Sequence, residues 1–238
     1  MSTSFRGSAP LHHTLLSNTM MTGVSLQTLH PTRFDHGTVL AQTPYPGIEH
    51  DSTTVPELEA LLAPLGADML VLGIKDRVYV PPYPDITQPL STEESENLRL
   101  APKITSDDRH IQWQAWSAEE IMRRHRVIGP LWSLVTCKIS GKLAQKRIIW
   151  TSGFRLGKLN GGEATEVGRP VVPGLLSETR NVFIKTYDGH ILQADEVKIE
   201  GGEITGFSHA AERAHMMELS TYHGRPPGDF AVFRDMLR

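Results

Sequence analysis

Apolar residues spaced three and four apart mark two helices near the start of the chain. Leu11, Leu15 and Leu16 predict a short helix that ends around Ser17-Asn18. Leu58, Leu61, Leu62, Leu65, Met69 and Leu72 form a longer stripe on one helical face. Thr54 and Glu57 stand before that stripe in a capping-box arrangement, with Pro56 in the first turn, where its missing N–H costs nothing. Pro64 and Gly66 fall inside the stripe and are expected to kink or break the helix. Between the two helices, Val24 and Leu26 alternate with Ser25 and Gln27, and residues 37–42 read as a second strand. A doubly wound domain needs several βα units, so residues 1–78 read as a piece of an α/β domain.

The pattern then stops. Residues 79–91 hold Pro81, Pro82, Pro84 and Pro89 in a polar setting, and proline at this density favours an extended connector. We place a connector at residues 79–100 and a second domain at 101–238. In that domain Ser117 and Glu120 form another capping-box pattern, opening a helix that Gly129-Pro130 ends. Short β-rich runs follow at 132–138, 147–150, 181–187, 190–194 and 197–199. Turn signals at Gly161-Gly162, Asp188-Gly189 and Gly201-Gly202 separate them. About five short strands with one helix predict a small OB-like β-barrel.

Composition changes this picture little. Of 238 residues, 39% are hydrophobic and 21% charged, which argues for folded domains over disorder. The densest apolar stretch, Met69 to Ile74, is far short of the ~18 residues a membrane span needs. The single cysteine, Cys137, lies in an apolar run, reads as a buried small side chain, and cannot by itself make a disulfide or a zinc site. No metal and no membrane are expected.

Charge is more informative. Residues 1–99 carry 5 Lys+Arg against 11 Asp+Glu, whereas residues 100–238 carry 19 against 16. Between Glu120 and Glu163 there is no acidic residue, while Arg123, Arg124, Arg126, Lys138, Lys142, Lys146, Arg147, Arg155 and Lys158 all fall there. A one-signed face of this kind attracts phosphates without reading sequence, although a merely solvated basic face has the same composition. Arg123, Arg124, Lys138, Lys142, Lys146 and Arg147 are the candidate nucleic-acid contacts. Trp150 and Phe154 are interleaved with them at a spacing that suits a core.

Several short motifs, in order, carry a resemblance. They are Arg6-Gly7-Ser8-Ala9-Pro10, Thr22-Gly23-Val24-Ser25-Leu26, Phe34-Asp35-His36-Gly37, Ala101-Pro102-Lys103-Ile104-Thr105, Ile111-Gln112-Trp113, Gly129-Pro130-Leu131-Trp132 and Val172-Pro173-Gly174. Together they resemble the folate-dependent formyltransferases, and within them the methionyl-tRNA formyltransferases. The resemblance implies that residues 1–78 are the C-terminal part of a Rossmann-like catalytic domain and that 101–238 is an OB-like tRNA-binding domain. It implies formyl transfer from 10-formyltetrahydrofolate to the amino group of initiator methionyl-tRNA. That reaction passes through a tetrahedral oxyanion and needs a proton relay. Asp35 matches the family's Asp-x-Gly carboxylate, whose implied role is to orient a histidine and favour its charged form.

The family's Asn-x-His motif has no match in this sequence, and it is expected upstream of Arg6. His30 has Thr28 where Asn should stand and reads as a loop residue, and His36 reads the same way. The chain is therefore expected to lack the N-terminal part of the catalytic domain and to be inactive, or nearly so, by itself. The alternatives are a catalytically silent tRNA-binding protein and a relative that formylates a sugar nucleotide. A mitochondrial location, if the source is eukaryotic, is implied by the family alone, since residues 1–34 hold only two arginines and make a poor transit peptide.

Overall fold

Helix α1 (Pro10–Leu16) begins on a proline, whose fixed φ suits the first helical turn, and buries Thr14 and Leu15. It belongs to the first of two compact units, Met1–Ile104 and Thr105–Arg238, seen in a computed structural model. The structure describes residues 5–32, 37–44, 46–83, 99–158, 166–171 and 181–220. Asp35 and His36, the Gly161-Gly162 turn, and Val172-Pro173-Gly174 lie outside the described residues.

In the first unit, β1 (Phe5–Arg6) pairs in parallel with β6 (Arg99–Leu100), which falls inside the expected connector. Gly7 follows β1 at φ +138°, with its α-carbon against the backbone of Ala101, so that a side chain there would collide with main chain. Ala101 donates its N–H to the Arg6 carbonyl (2.6 Å) and accepts one from Ala9 (3.1 Å), which stitches the Arg-Gly-Ser-Ala-Pro segment in place. Two antiparallel pairs complete the strands: β2 (Met21–Thr22) with β5 (Ile48–Glu49), and β3 (Ser25–Gln27) with β4 (Val39–Gln42).

Helix α2 (Val55–Lys75) has the full capping box: the Thr54 hydroxyl accepts from the Glu57 N–H while the Glu57 carboxylate accepts from Thr53 and Thr54. These backbone hydrogen bonds hold the Glu57 carboxyl below its ordinary pKa. The expected break at Pro64-Gly66 does not occur, and the helix is continuous through both residues. Ala60 and Pro64 are solvent-exposed, so the carbonyl that proline deprives of a donor faces water and costs little. The apolar stripe is also less buried than its spacing implies: Leu58 and Leu62 are buried, but Leu61, Leu65 and Leu72 are exposed.

In the second unit, Trp113 and Trp150 share one acceptor. Both indole N–H groups point at the buried Ser133 hydroxyl, at 3.0 Å and 3.3 Å. Trp113 meets Trp150 edge-on, Phe154 packs against both, and Phe207 stacks on Trp150 with ring centroids 6.0 Å apart. Around this cluster the chain lays down a five-stranded sheet. Its order is β14 (Ile204–Gly206), β13 (Glu196–Ile199), β8 (Lys142–Trp150), β7 (Leu131–Ile139), β15 (Met216–Ser220). A four-stranded sheet runs β10 (Pro170–Val171), β11 (Val182–Lys185), β12 (Ile191–Ala194), β9 (Arg155–Leu156). Helix α3 (Ala118–Ile128) precedes β7, and α4 (Phe207–Arg213) follows β14.

The expected OB-like barrel is not closed among the described residues: the strands form two separate sheets. The sheets are joined at a corner instead of by a hydrogen-bonded ladder. β12 runs into β13 through the single residue Asp195, and the Ser152 hydroxyl accepts the N–H groups of Asp195 and Glu196 (3.1 and 3.0 Å). Arg155 grips the Asp195 carboxylate with two hydrogen bonds of 2.6 and 2.8 Å. Helix α3 is capped at its start by the Ser117 hydroxyl and by Asp188, which accepts the Ala118 N–H from 70 residues away. Glu120 does not close the expected capping box and pairs with Arg124 instead.

Replacing Ser133 with Ala leaves two buried indole N–H groups without an acceptor, and each such group costs ~1–3 kcal/mol. Ser133→Ala is expected to lower the urea midpoint accordingly, with the slope of the transition unchanged. His125 supplies a second test. Its half-buried ring meets the Trp150 carbonyl at 3.1 Å; burial lowers its pKa, and the carbonyl hydrogen bond only partly opposes this. The unfolded chain takes up this proton near pH ~6.5, while the fold resists it to a lower pH, so between the two the unfolded state holds more protons. Stability therefore falls as pH drops through the mid-sixes and levels off once the folded ring also protonates. His125→Gln is expected to show a smaller difference in urea midpoint between pH 7.5 and 5.5 than the wild type.

Candidate nucleic-acid interface

Strand alternation assigns each basic residue of the β7–β8 hairpin to a face. Leu131, Ser133, Val135 and Cys137 of β7 are buried, so Trp132, Leu134, Thr136 and Lys138 face the other way. The antiparallel register sets Trp132 opposite Ile149, Leu134 opposite Arg147, Thr136 opposite Gln145 and Lys138 opposite Leu143. Arg147 and Lys138 thus share the outer face. Lys146 lies opposite Val135 and Lys142 opposite Ile139, which puts them on the other face. Burial also raises the pKa of the Cys137 thiol, against the pull of nearby Lys146, so it is no nucleophile at neutral pH.

The six candidate cations therefore do not form one patch. Arg123 and Arg124 sit on α3, each one turn from a carboxylate: Arg123 to Glu119 at 3.4 Å and Arg124 to Glu120 at 2.9 Å. Arg124 also lies over the Trp116 ring at 4.0 Å. Lys146 turns its ammonium to the Glu200 carbonyl, 3.2 Å away. A cavity of about 170 Å³ beside it is lined by Arg213, Glu200, Glu203 and Thr205 as well, so its charges offset one another. Asp35 lies outside the described residues.

Arg147 is differently placed. Its guanidinium lies over the Trp132 ring at 4.5 Å and donates to the Ser106 hydroxyl at 3.3 Å. The His110 ring also stacks on Trp132, 4.1 Å between centroids and 7° from parallel. The indole N–H donates to the Ser106 carbonyl at 2.8 Å, and the Ile111 N–H donates to the Trp132 carbonyl at 2.9 Å. Burial lowers the His110 pKa; Asp107 pulls it up and Arg147 pushes it down, so the ring stacks in its neutral form at neutral pH. Among the described residues no carboxylate forms an ion pair with Arg147. The charge of Arg147 was visible in the sequence, but its stacking partners were not: Trp132 and His110 are 22 residues apart and meet only through the fold.

Desolvation works to raise the Asp188 carboxyl, but hydrogen bonds from Thr186, the Ala118 N–H and His190 outweigh it and hold its pKa below the ordinary range. Among the described residues no His/Cys/Asp/Glu group is placed to hold a metal ion, and no helix is long and apolar enough to cross a membrane. Among the described residues, the strands of the first unit form separate two-stranded pieces and not the continuous sheet whose carboxyl ends make a ligand crevice, so they do not by themselves make a pterin site.

Residues 103–214 match the family model described as formyl transferase, C-terminal domain. The mitochondrial methionyl-tRNA formyltransferase of Saccharomyces cerevisiae is 33% identical over 162 residues, covering 60% of this chain and 39% of that protein. The human mitochondrial enzyme is 35% identical over 132 residues, covering 56% of this chain and 32% of its own length. A methionyl-tRNA formyltransferase of Acidiphilium cryptum is 30% identical over 138 residues, covering 58% and 41%. The chain thus spans about two fifths or less of these curated relatives. Among solved structures, a HypX variant from Aquifex aeolicus superposes with a TM-score of 0.50 at 14% identity, covering 89% of this chain and 34% of HypX, a likeness of fold alone.

The pairing pattern predicts unequal effects on polyanion binding. Arg123→Ala or Arg124→Ala removes a charge already neutralised by a neighbour. Each is expected to shift the salt concentration that elutes the chain from heparin less than Lys138→Ala or Arg147→Ala does.

Proposed function

We propose, for a chain that is homologous to methionyl-tRNA formyltransferases and carries a formyl transferase C-terminal domain at residues 103–214, that its second unit holds methionyl-tRNA during formyl transfer from 10-formyltetrahydrofolate. The observation that carries this reading is the match of residues 103–214, which contains the acid-free basic stretch and the β7–β8 hairpin. A one-signed face supplies affinity for a phosphate backbone without sequence readout, which suits a domain that positions a tRNA while another part does the chemistry. We read the two corner-joined sheets as an open OB-like module serving that purpose. The mitochondrial relatives from yeast and human support a mitochondrial site of action in a eukaryotic source.

The first unit contributes the Arg6-Gly7-Ser8-Ala9-Pro10 segment, stitched against Ala101, and Asp35 is our candidate for a catalytic carboxylate. The sequence contains no Asn-x-His, the motif expected to supply the oxyanion donor and the proton relay. A second reading, supported by the match of residues 103–214 taken alone, is a tRNA-binding protein without turnover.

Two measurements on the purified chain decide between them. We expect tRNA binding whose log affinity falls linearly with log salt, and formyl transfer to charged initiator tRNA at or near background. Turnover well above background would exclude the second reading. Absence of salt-dependent tRNA affinity would remove both.

A further inference from the structure

Among the described residues, the group of His110, Trp132 and Arg147 is built unlike the other cationic features of the second unit. We infer that the Arg147 guanidinium, held over the Trp132 ring, is a preset clamp for a phosphodiester of structured RNA; this rests on the reading that the unit holds RNA.

Trp132 itself is a poor platform for a base, because the His110 ring at 4.1 Å and the Arg147 guanidinium at 4.5 Å already lie against it. Its indole is also pinned in rotation by the N–H bond to the Ser106 carbonyl. What the stack presents outward is therefore the guanidinium. An arginine ordinarily loses rotamer freedom when it binds a phosphate, and a planar fork already fixed by stacking loses less. One of its donors goes to the neutral Ser106 hydroxyl, and the remaining N–H groups keep their full charge.

The comparison with Arg124 sharpens the assignment. That residue is also stacked on a tryptophan, but Glu120 takes its Nε at 2.9 Å, so the pair presents no net charge. Near Arg147, the Glu200 carboxylate accepts the main-chain N–H at 3.3 Å and does not meet the guanidinium. In the turn after Ser106, Asp107 acts on His110, and the Asp108 carboxylate accepts from the Thr105 N–H and hydroxyl. Lys138 and Gln145 lie on the same strand face by register, so a backbone crossing the hairpin meets a second cation and an amide. A planar fork with two parallel N–H donors suits a phosphate better than a point charge does.

The test uses the full chain and an unmodified initiator tRNA transcript, with binding measured across a range of NaCl concentrations. Arg147→Gln is expected to weaken binding roughly tenfold and to reduce the slope of log affinity against log salt by about one. Arg147→Lys is expected to keep the slope and lose part of the affinity, since it restores charge without the fork. Arg124→Gln is expected to change affinity less than about twofold. Unchanged affinity and slope in Arg147→Gln, in a chain that still binds tRNA in a salt-dependent way, would overturn the clamp and leave the RNA reading intact. Loss of tRNA binding in the wild type would overturn both. A dicarbonyl footprint on the wild type covers the case of a misfolded variant. Arg147 is expected to be protected from modification by the transcript but not by millimolar inorganic phosphate. Equal protection by free phosphate would overturn the assignment to RNA, and no protection by the transcript would overturn the clamp.

Discussion

The second unit is organised by a single hydroxyl. Ser133 accepts hydrogen bonds from the indoles of Trp113 and Trp150, and without it two large side chains would bury unpaired N–H groups at a cost of ~1–3 kcal/mol each. The arrangement ties together a loop, two strands and a helix, because Trp113 precedes α3, Trp150 ends β8, and Phe207 of α4 stacks on Trp150. It also fixes parity. With Ser133 turned inward, its neighbour Trp132 must turn outward, and the register that buries Ile148 turns Arg147 outward beside it. The stack on the outer face is thus a consequence of the core. A slip of one residue would bury an arginine and expose the serine that satisfies two tryptophans.

Charge reads differently in sequence and in space. The acid-free stretch after Glu120 suggests a single cationic surface, yet its first two arginines look back one helical turn to Glu119 and Glu120. Helical spacing placed those carboxylates against them although they lie outside the stretch. The hairpin divides the rest, since a period of two sends Lys138 and Arg147 to one face and Lys142 and Lys146 to the other.

Much of the fold was legible where local patterning and burial agree. The β-rich run of β7, the capping box of α2 and the Ser117 cap of α3 all express themselves within a few residues. The start of β8, Lys142 to Lys146, was not legible, because its Lys and Gln residues carry no strand signal and the pairing there comes from β7. Helix α4 and strands β14 and β15 were missed as well: α4 is short, with only Phe207, Ala210 and Ala211 turned inward, and its stability comes from packing on β13 and Trp150. Pro64 misled in the other direction, since its cost depends on whether the orphaned carbonyl meets water. The candidate cations were legible as residues and illegible as a site, because which of them is neutralised is a tertiary fact.

That distinction supplies a physical criterion for a binding surface. Arg155 on Asp195, Arg124 on Glu120 and Asp188 on the α3 N-terminus are charges that the fold both orients and neutralises, and they strengthen corners and caps. Lys side chains at a hairpin tip are neither oriented nor neutralised, and they contribute a diffuse field. Arg147 belongs to a third class, oriented by Trp132 and Ser106 yet left with its charge. Holding a cation in one geometry without a carboxylate gains little stability, as a stack on an exposed ring is worth only ~0.5–1 kcal/mol. On the proposed reading the same stack serves a phosphate better, because the guanidinium is already oriented and, among the described residues, no carboxylate forms an ion pair with it.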